Sequence, residues 1–323
     1  MADLAIGWIG LGQMGIAHSS NLLKKGFRVT CWNRSPDKTK PARELGAAVA
    51  ASPADVIRAS DLTFVMLSNA EATRDVYTAA ETGILAALTD GKSVCECATI
   101  DAATVRELAG MVRGRGGAFM AAPVAGHSKM AADATCQFIC AGDRSVYDQA
   151  KPALDAMSKK AAFVSGDAGV ASASKIIING LLAKITASIA EGLSQVQQAG
   201  IEAAGVLEIL EGHAMYSPLF ALCAKLMLSG EHPPLFMLKH MAKDARLADE
   251  LSTELHADSH VLTRAAAASY KDALADGSWD EANWTAIFES VNKSATAAAG
   301  AAGAGKEEGD RHDDPGHEAK SGE

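Results

Sequence analysis

Apolar residues first gather in a short run bounded by glycine, Leu4 to Gly10 (LAIGWIG), which reads as a buried strand. Helix formers follow from Met14 to Lys25 and stop at Gly26, a natural helix end. The next run, FRVTCWN, is rich in β-branched and aromatic residues and predicts a second strand, closed by the turn-like Asn33-Arg34-Ser35-Pro36. The pattern then predicts a helix over Lys38 to Leu45, a brief strand over Gly46 to Val49 and a helix over Pro53 to Ala59. Buried strands over Leu62 to Leu67 and Ser93 to Cys97 come next, with a helix over Thr104 to Arg113. Strands alternating with helices imply a parallel sheet covered on both faces.

After about Lys175 the strand runs stop. Helical signals persist through Lys175 to Ala199, Val206 to His213, Leu219 to Leu228, Leu235 to Ser252, His260 to Ala275 and Trp279 to Val291. From Ser294 the chain turns to alanine and glycine and then to a charged tail, KEEGDRHDDPGHEAKSGE. That tail has too little apolar surface to offset ordering and is expected to be disordered. The expected division is an α/β domain over residues 1–165, an all-α domain over 166–293 and a low-complexity tail over 294–323. A length of 323 residues exceeds what one hydrophobic core usually serves, which agrees with two domains.

Charge and composition exclude some functions. A formal net charge of −9 repels a phosphodiester backbone, so wholesale nucleic-acid binding is not expected. No apolar stretch reads as long and clean enough to span a bilayer. Six cysteines sit inside apolar runs and read as small buried hydrophobes in a reducing compartment, and Cys95-x-Cys97 lacks the spacing of a zinc site, so no metal is expected. Met1 is followed almost at once by the first strand, which leaves no room for a signal or transit peptide, so the expected location is cytoplasmic.

Gly10-Leu11-Gly12-Gln13-Met14-Gly15 is a GxGxxG sequence directly after a strand and at the start of a helix. In that context the first glycine permits the tight turn, the second lets a pyrophosphate reach the backbone, and the third lets helix and strand pack closely. The first domain is therefore expected to be a doubly wound Rossmann sheet with a dinucleotide at the helix N-terminus. An NAD site usually places a carboxylate at the end of the second strand to hold the ribose 2′-hydroxyl. Here that place holds Asn33-Arg34-Ser35. Arg34 can pair with a 2′-phosphate as a fork and Ser35 can donate to it, so NADP(H) is the expected cofactor. The plainer alternative is that Arg34 is a solvated turn residue.

Lys175 and Asn179 lie four residues apart, on one face of a predicted helix whose intervening Ile176 to Ile178 are apolar. Such a spacing is common on surfaces, but a lysine on a largely buried helix needs a reason. In FMLKHMAKDARLA, Lys239 and Lys243 are one turn apart, as are His240 and Asp244, a pattern that an ordinary amphipathic helix also explains.

Four stretches, GWIGLGQMGIAHSSNLLKKG, MAAPVAGHSKMAADAT, GDAGVASASKIIIN and FMLKHMAKDARLA, together resemble the β-hydroxyacid dehydrogenase family over about residues 4 to 292. The forms LKH…KDARLA and GHSKMAAD are most similar to its glyoxylate/succinic semialdehyde reductase branch. The 3-hydroxyisobutyrate dehydrogenase branch usually has a second glycine where His127 stands. The resemblance implies that Lys175 is the catalytic lysine and Asn179 its amide partner. It places Lys243 and Asp244 beside the nicotinamide and substrate, Phe236 near the pocket, and Leu67, Ser68 and Thr99 at strand ends that contact the cofactor. Val124, Ala125, Gly126 and His127 fall in the loop that grips the substrate carboxylate. The family often assembles through its helical domain, which implies a homodimer.

The departures from the family pattern bear on substrate choice. Ala121, Ala125 and Ala134 stand where Asp, Ser and Gly are usual, Met130 stands where the reductase branch tends to have Pro, and a Ser-Thr pair is reduced to Ala98-Thr99. Losing a hydroxyl at Ala125 removes a donor worth about 1–3 kcal/mol to a bound carboxylate unless the loop N–H groups, His127 or Ser128 replace it. The resemblance implies hydride transfer from NADPH to a short aldehyde acid such as glyoxylate or succinic semialdehyde, with Lys175 supplying the proton. Two alternatives remain open at this point, a 3-hydroxyisobutyrate-type dehydrogenase working oxidatively with NAD(P) and a dinucleotide-binding scaffold without turnover. Imine reductases share the architecture but commonly lack a lysine at this position.

Overall fold

The computed structural model describes residues 4–257, 259–275 and 277–295. The expected low-complexity tail lies, from residue 296 on, outside the described residues. The first half folds around one sheet of nine strands: β1 (Ala5–Ile9), β2 (Arg28–Trp32), β3 (Ala48–Val49), β4 (Leu62–Val65), β5 (Ser93–Glu96), β6 (Ala118–Ala121), β7 (Val124–Ala125), β8 (Gln137–Gly142) and β9 (Lys160–Ser165). Their order is β3-β2-β1-β4-β5-β6-β8-β7, with β9 paired to β8. The strands from β3 to β6 are parallel. β1, β4 and β5 are buried on both faces, which is why they read as unbroken apolar runs rather than alternating ones.

The expectation of a wholly parallel sheet fails at β8, which runs antiparallel to both β6 and β7. No helical crossover separates β6 from β7. Pro123 lies between them, and a proline cannot donate to a ladder, so the edge breaks there and each short strand takes one end of β8. The chain returns through the short helix Ser128–Ala132, and a two-strand reversal of that kind produces antiparallel pairing.

Helices cover both faces of the sheet. Trp8, Leu22, Phe64 and Phe138 are among the buried residues of one face, and Ile9, Val65, Tyr77 and Phe119 of the other. His18 belongs to the first cluster, close to Trp8 and Phe138. Neither of its ring nitrogens finds a well-formed hydrogen bond, and burial pushes its pKa down to about 4 against a weak opposing pull from the backbone of Met157.

The second half is helical. A 31-residue helix, Ala168–Gln198, leaves the sheet and packs against Leu238–Glu254, Val261–Ala275 and Pro218–Ser229. Leu193, Met227, Tyr270, Trp284 and Phe288 are in the core between them. Contrary to the sequence expectation, this long helix does reach bilayer-spanning length and apolarity, with a mean hydropathy of 1.5 over its most apolar window. Alanine, glycine and serine dilute its appearance in the sequence. Half of that window is buried against the protein, as in a core helix. The helix expected over Trp279 to Val291 begins late. Trp279 to Asn283 form a turn that places Asn283 in a bridge with Met237, a 3-10 turn covers Trp284–Ala286, and residues 287–295 are helical.

All six cysteines are free and buried.

Candidate active site

The strand order reverses between β1 and β4, so the carboxyl ends of these two strands part and leave a crevice, the usual ligand position in such sheets. A groove of about 730 Å³ opens there and continues to the helical domain.

The glycine turn forms its floor. Gly10 has φ +98°, and a Cβ on it would meet the Met66 carbonyl at 2.2 Å. A Cβ on Gly15 would meet the Gly10 carbonyl at 2.1 Å, so close packing of helix on strand requires glycine there. Gly12 is different, because nothing lies within 4 Å of where its Cβ would be. That open space sits at the N-terminus of helix Gln13–Lys24, which has no side-chain cap and no acidic residue in its first turn. Helices Pro53–Ala59, Ala70–Thr78 and Ala102–Arg113 are capped by Ser52, Asn69 and Asp101. An uncapped N-terminus facing open space fits a pyrophosphate, whose oxygens would take the free N–H groups.

Gln13 and Met14 line the groove with the glycines, whereas Leu11, expected there, is buried in the core and does not line it. Its N–H donates to Asn33 Oδ1 at 2.8 Å, and Asn33 Nδ2 donates to the Ser35 carbonyl at 3.0 Å. Asn33 therefore ties the end of β2 to the glycine turn. Arg34 and Ser35 line the same end and are exposed. Lys38 joins them. The sequence reading passed it over, although a second cation one turn after Arg34 was visible. Leu67, Ser68 and Thr99 line the middle of the groove, at the ends of β4 and β5.

At the far end Lys175, Asn179, Lys243 and Asp244 converge. Lys175 and Asn179 are 6% and 3% exposed and share one face of the long helix, while Asp244, 2% exposed, comes from helix Leu238–Glu254. The two helices approach closely because Gly180 faces Ala248, where a Cβ would lie 2.8 Å from the alanine methyl. Lys175 Nζ donates to Asn179 Oδ1 at 2.8 Å, and Asn179 Nδ2 donates to Asp244 Oδ2 at 2.5 Å. An ammonium can only donate and a carboxylate only accept, so this order fixes the amide orientation. Lys243 faces Asp244 Oδ1 at 2.9 Å and donates to the Thr99 carbonyl. Burial pushes the Lys175 pKa down, Asp244 opposes that, and the Lys243 charge pushes it further down. Its ammonium has three donors and uses one on Asn179, so two are left for a ligand oxygen.

The loop after β7 supplies the opposite wall. Val124, Gly126 and His127 line the groove, but Ala125 does not. As a strand residue it pairs with Gln137 of β8, and successive strand side chains point to opposite faces. Gly126 has φ +145°, and a Cβ on it would meet the Cys136 sulfur at 2.6 Å. Ser128 donates through both its hydroxyl (3.1 Å) and its N–H (3.3 Å) to the Leu235 carbonyl, which fastens this loop to the helical domain. Burial, helped by Lys129, pushes the His127 pKa below its ordinary value, so its imidazole is neutral at neutral pH. Phe236 lines the same end and stacks on His240. The sequence reading missed Leu235 and Met237, which also line the groove but were read as the start of a helix. That helix begins at Leu238.

Comparison with known proteins agrees with this layout. Residues 5–166 match the family model described as the NAD binding domain of 6-phosphogluconate dehydrogenase. Residues 169–290 match the one described as NAD-binding of NADP-dependent 3-hydroxyisobutyrate dehydrogenase. The chain is 35% identical over 288 residues to glyoxylate/succinic semialdehyde reductase 1 of Arabidopsis thaliana, covering 89% of this chain and 98% of that protein. It is 37% identical over 275 residues to the cytokine-like nuclear factor N-PAC of Danio rerio, covering 84% of this chain and 59% of that one. Among solved structures, Mycobacterium tuberculosis 3-hydroxyisobutyrate dehydrogenase with L-serine superposes with a TM-score of 0.80 at 26% identity, covering 89% of this chain and 99% of the other.

Proposed function

The chain belongs to the β-hydroxyacid dehydrogenase family, and from that membership we propose that it is an NADPH-dependent reductase of small aldehyde acids, with glyoxylate and succinic semialdehyde as model substrates. The coarser statement, an NAD(P)-dependent oxidoreductase of the hydroxyacid dehydrogenase type, follows from the family itself. The observation that carries the finer reading is the buried Lys175 ammonium, held by Asn179 and Asp244 at the end of a groove built for a dinucleotide.

When bound, the dinucleotide supplies a hydride. The chain's own residues do the rest. The open backbone at Gly12 and the uncapped helix behind it receive the pyrophosphate, and Arg34 and Ser35, with Lys38, are placed to hold a 2′-phosphate, which favours NADPH over NADH. The loop from Val124 to His127 receives the substrate carboxylate, with Val124, Gly126 and His127 at the groove; Ala125 turns away from it, so the hydroxyl it lacks is no loss to the pocket. Lys175 stabilises the negative charge that grows on the carbonyl oxygen and delivers the proton, while Asn179 fixes the direction of its ammonium. Counting Lys175, Lys243 and Asp244, the site carries one net positive charge, which suits a monocarboxylate.

Following NADPH absorbance with a panel of aldehyde acids tests this reading. Turnover of glyoxylate or succinic semialdehyde is expected, faster with NADPH than with NADH. Oxidation of 3-hydroxyisobutyrate with NAD+, without aldehyde reduction, would favour the dehydrogenase reading that the solved 3-hydroxyisobutyrate dehydrogenase suggests. Tight NADPH binding with no turnover of any of these compounds would favour a scaffold. We further propose a homodimer joined through the helical domain.

A further inference from the structure

A carboxyl group sealed beside the groove has no part in that chemistry. Glu96 is the last residue of β5 and is 1% exposed. Two donors converge on it. The Tyr77 hydroxyl donates to Oε2 at 3.0 Å, and the Ala98 N–H donates to Oε1 at 2.8 Å.

These donors belong to different walls of the groove. Tyr77, fully buried, lies on helix Ala70–Thr78, whose Ala72, Asp75 and Val76 line the groove. Ala98 and Thr99 line it toward Lys175, and the Thr99 carbonyl receives the Lys243 ammonium. One buried carboxyl thus spans from the helix wall to the wall that positions Lys243. Burying a carboxyl is costly unless it is fully hydrogen-bonded, and an apolar side chain would fill this space at lower cost.

We propose that Glu96 is a positioning residue that holds the two walls of the dinucleotide groove at a set spacing through Tyr77 and Ala98, most firmly when it is ionised. The ionised form accepts from both donors, and such charge-assisted bonds are the stronger ones. In the acid form Oε1 must remain the acceptor for Ala98, so the proton sits on Oε2 and meets the Tyr77 hydroxyl proton. The phenol must then turn its hydrogen into apolar surroundings, and the tie to the helix weakens.

The surroundings place this change near neutrality. Burial pushes the Glu96 pKa up to about 7, against the hydrogen bonds from the Ala98 N–H and the Tyr77 hydroxyl. The titratable groups around it are a phenol and thiols. Burial and the nearby Glu96 raise the Tyr77 phenol far above its usual range, and burial does the same for the Cys95 thiol on Glu96's own strand. Cys97 lies on the other side, and beyond it Cys140 of β8 is pushed up to about 12. The flanking strands set Val65 and Ala121 beside Glu96, and no ammonium or guanidinium pairs with it among the described residues.

The inference rests on dinucleotide binding in this groove and not on which aldehyde is reduced, so its test uses cofactor binding alone. Calorimetric titration of NADPH into the full chain at pH values on either side of neutrality should show affinity rising about fivefold with pH, the worth of one net hydrogen bond, with a midpoint near the Glu96 value. In Glu96→Gln, which keeps the shape and the acceptor for Ala98 but cannot ionise, that rise should vanish, leaving only the titration of NADPH itself. Tyr77→Phe removes one donor to the carboxylate and should move the midpoint to higher pH. Identical pH profiles for wild type and Glu96→Gln would overturn the inference. Should Glu96→Gln fail to fold, the Tyr77→Phe profile decides, an unmoved midpoint refuting the assignment and an alkaline shift upholding it.

Discussion

Lys175 is legible in the sequence as an anomaly, a cation on a helix with an apolar interior, and its spacing to Asn179 places both on one face. Asp244 is placed near the site by the resemblance alone, and its bond to Asn179 is not legible. Asp244 is 65 residues from Asn179 in the chain, and only packing of the two helices across Gly180 and Ala248 brings it to 2.5 Å. That packing also sets a pH dependence. A proton donor works only while protonated, and burial lowers Lys175 from its ordinary 10.5, with Asp244 holding it up. Reductive turnover is therefore expected to persist on the acid side and to fall as pH rises through this lowered value, ahead of 10.5. In Asp244→Asn the counter-charge is gone and the falling limb should move to lower pH. Lys175→Ala should retain NADPH binding and lose about 10²–10⁴-fold in kcat, measured by single-turnover kinetics on the pre-bound complex. Full turnover in that variant would remove the lysine from the mechanism. That Arg34 and Ser35 line the groove was readable, because they follow the end of the second strand, beside the glycine turn. Asn33 also lines the groove, and its amide in addition bonds Leu11 and Ser35 within the protein, which the sequence did not show.

At the scale of elements, the turn from β1 into helix Gln13–Lys24 was readable because three independent signals coincide there, an apolar run, spaced glycines and a helix former after the last of them. The structure separates what those glycines do. A methyl group at position 15 collides with the Gly10 carbonyl, whereas one at position 12 meets nothing in the protein and enters the space left for a ligand. Gly12→Ala is accordingly expected to melt within a degree or two of wild type yet bind NADPH at least tenfold more weakly, while Gly15→Ala loses both stability and binding. Thermal melts read beside calorimetric titration check both halves, and a Gly12→Ala protein that binds normally would mean that the pyrophosphate does not sit there. Other elements were hidden for physical reasons. Helix Arg144–Met157 carries Pro152 in its interior, which reads as a breaker, and its ends rely on neighbouring helices and strands for support. The strands β6 and β7 are only four and two residues long, too short to show a period, and their pairing is set by β8 further along the chain. The turn at Trp279–Asn283 is apolar enough to pass for helix until its bridge to Met237 is seen.

For the whole molecule, the long helix presents two faces with opposite fates. Its buried face carries Lys175 and Asn179 into the groove. On the other side Ile177, Leu181 and Ile185, with Ile178 beside them, form a stripe of side chains that are each 43–50% exposed. Positions four apart repeat on one side of a helix, so the stripe is continuous. It runs into a trough of about 680 Å³ whose walls include Leu181, Ile185, Val196, Leu210, Phe220 and Leu262. A contiguous apolar surface of this kind is costly to leave in water, and its self-complementary arrangement along one helix suits a two-fold contact with a second copy. Sedimentation analysis should accordingly find a dimer, and Leu181→Glu combined with Ile185→Glu should give a monomer, because two buried like charges per subunit would face each other across the axis. Both substituted positions lie away from the face that holds Lys175. NADPH affinity in the double variant therefore separates two possibilities. Unchanged affinity means that each subunit builds its groove alone. A loss of affinity that is recovered at high protein concentration means that the second copy stiffens the helix on which Lys175 rides. A wild-type protein that sediments as a monomer at all accessible concentrations would leave this stripe without a self-partner and would rule out the dimer.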